Sequence, residues 1–191
     1  MRMAYKARVK GRASNLIPPE PIGRILRLIW TPLILIWVSQ PFISAFAHDP
    51  PRPWRLLYYD PRIAWPAVVI VAICFAVTRV CWKRMGAGWR MGIDPGEQTV
   101  LVATGPFAYV RHPIYALSQA MMLATVAAVP SPLMIAAALL HLALLQWESR
   151  REEAHLLRVQ PEQYARYRSQ VGRFLPKRLR PYIGGSVTGD K

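Results

Sequence analysis

The chemistry of this chain is concentrated in one run, Thr104-Gly105-Pro106-Phe107-Ala108-Tyr109-Val110-Arg111-His112-Pro113-Ile114-Tyr115. It gathers a permanent cation, an imidazole and a phenol around one proline, at the mouth of a long uncharged stretch. Pro113 suits the first turn of a helix, where its missing N–H costs nothing. His112 then falls near the N-cap. A helix start of this kind offers free N–H groups and positive potential to an anionic or carbonyl-bearing ligand. Gly105-Pro106 reads as the turn before it. The plainer reading is an Arg-His pair that anchors a helix to lipid headgroups.

A second group, Glu148, Arg150, Arg151, Glu152, Glu153 and His155, follows the last apolar stretch. Glu152 and Glu153 are adjacent, so they do not share a helix face. Glu148 and Glu152, four apart, do, and Glu152 can pair with Arg151 or with a basic group elsewhere. A carboxylate here suits the amino group of a cofactor; the plainer reading is a solvated face of mixed charge. A third group closes the chain's chemistry. Gln160 to Arg168 reads as a short helix with Tyr164 and Tyr167 on one face, and Val171-Gly172-Arg173-Phe174-Leu175-Pro176 as an extended segment after it. Arg173 suits a substrate carboxylate or an anionic headgroup. The glycine-rich Met85 to Gly92 stretch has neither the Gly-Lys-Ser/Thr ending of a phosphate loop nor a βαβ context. His48, His112, His141 and His155 show no ligand spacing, so no metal is expected. His141 lies inside an apolar stretch, which predicts a hydrogen-bond partner across helices or contact with a ligand.

The elements that must position these groups are apolar. The chain has 191 residues, 53% of them hydrophobic, and a net charge of +15. Such a charge would suit a nucleic-acid binder, but the basic residues alternate with long uncharged blocks, as in a membrane protein with cationic flanks. Four apolar segments run from about Ile25 to Ala47, Ile63 to Trp82, Pro113 to Val129 and Pro132 to Trp147. The first two are long enough to cross ~30 Å of hydrocarbon. Pro130-Ser131-Pro132 separates the last two, which predicts a tight hairpin over 113–147. Cys74 and Cys81, seven apart, suit one helix face rather than a disulfide. Residues 1–27 carry seven Lys/Arg, 48–62 three, 79–112 five and 148–191 ten. An even number of crossings therefore puts both termini, the 104–115 run and the Glu152-Glu153 pair on the cytoplasmic side. The expected fold is an all-α polytopic membrane protein with about four transmembrane helices and a cytoplasmic C-terminal helical extension. Its parts are a basic tail (1–24), a helix pair (25–82), a core with the hairpin (83–177) and a basic tail (178–191). The arginine-rich composition suits a bacterial inner membrane.

Taken in order, Gly86, Gly88-Trp89, Gly105-Pro106-Phe107, Val110-Arg111-His112-Pro113-Ile114-Tyr115, Glu152-Glu153, Leu156-Leu157, Tyr164, Tyr167, Gly172-Arg173-Phe174 and Pro176 resemble a known pattern. It is that of the isoprenylcysteine carboxyl methyltransferase and phospholipid methyltransferase family of integral membrane enzymes, over roughly residues 85–177. Phe107 stands where members often have Tyr, Ala116 where they commonly have Gly, and Glu148 nearest to a position that is often basic. The resemblance implies S-adenosylmethionine bound at the cytoplasmic side, giving S-adenosylhomocysteine as product. Gly105, Tyr109, Arg111, His112, Pro113 and Tyr115 would border it, with His112 near the adenosine. Glu152 and Glu153 would hold the methionine amino group or shape its pocket. Arg173, near a substrate carboxylate, and Glu153 are the expected catalytic groups. The implied partner is a lipophilic or lipid-like acceptor (carboxylate, amine or thiol) arriving from the bilayer, with anionic headgroups nearby and no nucleic acid. A non-catalytic scaffold subunit and a nicotinamide-dependent membrane reductase are the competing functions.

Overall fold

The computed structural model describes residues 20–85 and 101–183. The tail 1–19, the glycine-rich stretch with Gly86, Gly88 and Trp89, and residues 184–191 lie outside the described residues. Among the described residues, five α-helices follow in order: α1 (Pro21–Phe46), α2 (Pro61–Met85), α3 (Pro113–Ala128), α4 (Pro132–Val159) and α5 (Pro161–Gln170). Short 3-10 turns lie at Arg52–Trp54 and Gly105–Ala108.

All five helices begin on a proline. Its fixed φ matches the helix, and its missing N–H removes a donor that the first turn would leave unpaired. This is why α1 and α2 start a few residues before the apolar runs that mark them in the sequence. Caps complete the starts. The Asp60 carboxylate accepts from the Arg62 N–H at 2.8 Å, ahead of α2. Ser131 Oγ accepts from the Met134 N–H at 3.1 Å, ahead of α4. Pro32 and Pro41 remain inside α1, and Pro66 inside α2.

Helices α1, α2 and α4 are long and apolar enough to cross a membrane; α3 is apolar and shorter. Little of α1 or α2 is buried against protein. Leu28, Leu35 and Phe42 on α1, and Val69, Ile73 and Phe75 on α2, are exposed. An apolar surface of that extent belongs in lipid, and the chain is an integral membrane protein. The last apolar segment ends at Trp147, and the helix that carries it continues past Glu148 to Val159 as a charged extension. Its 28 residues make a rod of roughly 42 Å, longer than ~30 Å of hydrocarbon. The charged part from Glu148 onward therefore projects past the apolar layer.

The bundle packs α2 along α3, and both α1 and α3 against α4. The α2 face consists of Ala67, Cys74, Thr78 and Cys81, all buried. Small residues in one row let two membrane helices approach closely. Helices α1, α3 and α4 share a core of Leu33, Met122, Met134, Ala137 and Ala138, with Trp30, Trp37 and Leu144 against it. Polar groups cross-link this core. Trp37 Nε1 donates to Thr125 Oγ1 at 2.9 Å, and Ser118 Oγ lies 3.0 Å from His141 Nε2. The Trp37 and His141 rings lie 5.4 Å apart. His141 thus has a partner across helices. At one end of the bundle the Leu57 N–H donates to the Pro130 carbonyl, joining the 47–60 loop to the α3–α4 turn. At the other end lie the start of α3, the charged end of α4, and α5. Helix α5 turns Tyr164 and Tyr167 inward, where they pack with Val171 against Leu101, Leu156 and Tyr182.

Candidate functional site

The site is built where the C-terminal segment docks beside the start of α3. Val110 and Gly172 form a parallel bridge. The Arg111 N–H donates to the Gly172 carbonyl at 2.8 Å, and the His112 N–H to the Arg173 carbonyl at 3.0 Å. This register requires glycine at 172: a Cβ there would collide with the Leu175 carbonyl oxygen and come within 3.2 Å of the Lys177 nitrogen. The run is also held from behind. Tyr167 Oη donates to the Phe107 carbonyl at 2.6 Å, and the Tyr182 N–H to the Ala108 carbonyl at 2.9 Å. Gly105 opens the preceding turn with φ +61, a conformation that favours glycine.

Docking in this register sets Arg111 and Arg173 on either side of Glu153. Glu153 Oε1 accepts from Arg111 Nη2 at 2.8 Å and from Arg173 Nε at 2.8 Å. Its Oε2 accepts from Arg173 Nη2, also at 2.8 Å. Arg111 further donates Nη1 to the Arg168 carbonyl at 3.2 Å and to the Val171 carbonyl. The Glu153 side chain is 4% exposed, Arg111 6% and Arg173 25%, so this is a shielded fork-to-carboxylate pair. Burial alone would raise the Glu153 carboxyl. Hydrogen bonds from His112, Arg173 and Arg111, and the Arg111 charge, outweigh it and hold the group well below the usual carboxylate range.

Glu152, one residue earlier, faces a different environment. Its side chain is 26% exposed. Oε1 accepts from Tyr115 Oη at 2.5 Å, while Oε2 lies 3.4 Å from His112 Nδ1. His112 bridges the two carboxylates, with Nε2 3.3 Å from Glu153 Oε1. Burial lowers the His112 pKa, but bonds to Glu152 and Glu153 and their charges outweigh it and raise the group above its ordinary value. The His112 ring lies nearly parallel to Tyr115, with centroids 5.4 Å apart and 6° between planes. Phe174 meets the same imidazole edge-on at 6.1 Å.

Arg111, His112, Tyr115, Glu152, Glu153 and Arg173 therefore converge, with Pro113 opening the helix that carries Tyr115. Gly105 and Tyr109 sit apart from that cluster: Gly105 lies against Arg84 of α2, and Tyr109 is exposed. Arg151 does not pair with Glu152. It donates to Glu148 Oε2 and to Glu20 Oε1, both at 2.7 Å, and lies over the Trp147 ring. An i,i+3 partner lies on the same helix face, whereas the next residue does not. Glu20, 131 positions from Arg151, carries no local signal that could have announced this contact. Phe174 and the Gly172 docking are likewise products of the tertiary fold.

The arrangement can bind a cationic group at Glu152, which keeps acceptor capacity, and a flat ring beside the His112–Tyr115 pair. It can also hold an anion near Arg173, whose Nε and Nη2 are occupied by Glu153. Glu153 has both oxygens engaged. The family model described as Phospholipid methyltransferase matches residues 62–163, from α2 through the charged end of α4 into α5. Arg173 lies beyond that match. No curated protein and no solved structure matches the chain.

Proposed function

The chain belongs to the phospholipid methyltransferase family, whose model covers just over half of it, and from that premise we propose how it works. Membership carries S-adenosylmethionine-dependent methyl transfer to a lipophilic substrate at a membrane. Our proposal adds that transfer occurs at the cytoplasmic face, to a carboxylate, amine or thiol on a lipid-like acceptor. The Lys/Arg distribution supports four crossings with both termini cytoplasmic. Helix α3, at 16 residues or roughly 24 Å, would cross with local thinning of the bilayer. Residues 25–82 would serve as a supporting helix pair and 83–177 as the catalytic core.

One observation carries the reading. Arg111-His112-Pro113-Ile114-Tyr115 and Glu152-Glu153, about forty positions apart, meet in a shielded cluster at one end of the bundle. The residues fit S-adenosylmethionine because Glu152 has spare acceptor capacity for an ammonium group, beside the His112–Tyr115 ring pair. When bound, S-adenosylmethionine supplies a methyl group already activated on a sulfonium. The chain's task is then to orient an acceptor in line with that methyl and to keep water out. Glu152 holds the amino group, and Tyr115 Oη fixes the orientation of its carboxylate. Glu153 anchors Arg111 and Arg173. With both oxygens occupied and its basicity suppressed, it is poorly suited to take a proton. A carboxylate acceptor needs no base, and Arg173 is positioned to hold one.

Calorimetric titration of the purified protein with S-adenosylhomocysteine and, separately, with NADPH tests this. Binding of S-adenosylhomocysteine alone is expected; binding of NADPH alone would replace the reading with the reductase. Transfer of labelled methyl groups into membrane extracts would identify the acceptor class, and a chain that binds the product yet labels nothing would favour the scaffold.

A further inference from the structure

Beside Glu152 and Glu153, the charged end of α4 carries a third glutamate that has no task in holding S-adenosylmethionine. Glu148 lies four residues before Glu152 on the same helix face, one turn nearer the apolar layer. Its side chain is only 2% exposed. Oε2 accepts from Arg151 Nη1 at 2.7 Å, and Oε1 has no hydrogen bond among the described residues. Arg151 is divided, because its Nη2 donates to Glu20, the residue before α1. Glu152 faces the same carboxylate from one turn along α4, and Tyr115 of α3 lies close enough to feel both charges. One guanidinium thus serves two carboxylates with a third nearby, whereas Glu153 has two arginines to itself. Burial, with the Glu152 and Glu20 charges, outweighs Arg151 and lifts the Glu148 carboxyl to about 7.

Methyl transfer to an amine or a thiol leaves a proton to be taken up. Glu153 is engaged on both oxygens, and Glu152 is committed to the ammonium group of S-adenosylmethionine. The reactive methyl is joined to that ammonium-bearing carbon by a short chain, so an acceptor must come within about one helical turn of Glu152. It arrives from the bilayer side, which is where Glu148 stands. We propose that Glu148 Oε1 is the proton acceptor of the reaction. It takes the N–H proton of an ammonium or the S–H proton of a thiol. The freed lone pair bonds to the methyl carbon as the carbon–sulfur bond breaks, and the electron pair of that bond stays on sulfur. The proton then leaves to water at the membrane face. Arg151, held by Glu20, is the positioning residue that orients the carboxylate through Oε2. This rests on the methyl-transfer reading above and adds a catalytic residue to it.

Proton uptake is read without substrate, by infrared difference spectroscopy of the full chain in detergent at about pH 6 and about pH 9, both above the ordinary carboxylate range. A protonated-carboxyl band should be present at the lower pH, vanish at the higher and be missing from Glu148→Gln. With membrane extracts as the source of acceptor, Glu148→Gln should slow labelled-methyl transfer about 100-fold or more. It should also lose the fall in rate that the unsubstituted chain shows below about pH 7. Its affinity for S-adenosylhomocysteine should not change. Glutamine keeps the shape of the side chain, and Arg151 keeps Glu20, so the variant should fold. Glu148→Asp, which retains a carboxylate, should recover part of the rate. A band that Glu148→Gln leaves in place, or an undiminished rate in that variant, would overturn the proposal. So would loss of S-adenosylhomocysteine binding together with the rate, which would make Glu148 a structural support. Failure of the unsubstituted chain to bind S-adenosylhomocysteine would instead refute the methyl-transfer reading, because the infrared titration is read independently.

Discussion

Replacing Glu153 by glutamine separates the two neighbouring carboxylates most sharply. The substitution keeps the shape and one acceptor oxygen but removes the charge between Arg111 and Arg173. Their side chains are 6% and 25% exposed, so water can screen the resulting repulsion only partly. Removing one partner from a buried ion pair costs about 3–5 kcal/mol, because the remaining charge is left without compensation. Retained hydrogen bonding to the glutamine oxygen puts Glu153→Gln near the lower end, about 3 kcal/mol. For a chain of this length that corresponds to a fall in melting temperature of roughly 6–12 °C. Glu152→Gln, at a side chain 26% exposed with one hydrogen bond from Tyr115, should cost no more than about 1.5 kcal/mol while weakening S-adenosylhomocysteine binding. Thermal unfolding in detergent, followed by intrinsic tryptophan fluorescence, reads the first effect, and calorimetry reads the second. Equal stability losses in the two variants, or a larger loss in Glu152→Gln, would refute the division of labour between them.

Acid should act through the same cluster. Glu153 has a depressed pKa when folded, so its contribution is complete above the ordinary carboxylate pKa and is lost as pH falls toward the folded value. Melting temperature should therefore drop below about pH 4, and the drop should be shallower in Glu153→Gln. His112 has the opposite sign. Its raised folded pKa makes its contribution complete below the ordinary histidine pKa and lost as pH rises through the folded one. His112→Gln should flatten the corresponding slope on the neutral side. Gly172→Ala places a methyl against the Leu175 carbonyl and should cost about 1–3 kcal/mol, with loss of product binding as the segment behind Arg111 shifts; normal binding would contradict the docking. Tyr115→Phe should weaken S-adenosylhomocysteine binding about five- to tenfold through loss of the bond that orients Glu152. In the membrane layer, Trp37→Phe removes the bond to Thr125 and should cost only about 0.6 kcal/mol in thermal unfolding.

Much of this architecture is local and so could be read from the chain. Uninterrupted apolar length marks a membrane helix wherever it occurs, and a proline at a segment's start marks its first turn, as Pro113 and Pro132 do. The Arg111-His112-Pro113-Ile114-Tyr115 run and the Glu152-Glu153 pair could be singled out by residue type and spacing. Their meeting was already favoured by the short turn at Pro130. Tertiary structure decided which acid does what. Glu152 and Glu153 are chemically the same and adjacent, but successive residues on a helix point about 100° apart. One therefore meets Tyr115 and keeps capacity for a ligand, while the other is enclosed between two arginines. That difference depends on the 171–173 segment docking beside 110–112, which Gly172 permits through the room its missing side chain leaves. The joining of Arg151 to Glu20 likewise depends on how distant segments pack, which no window of sequence contains.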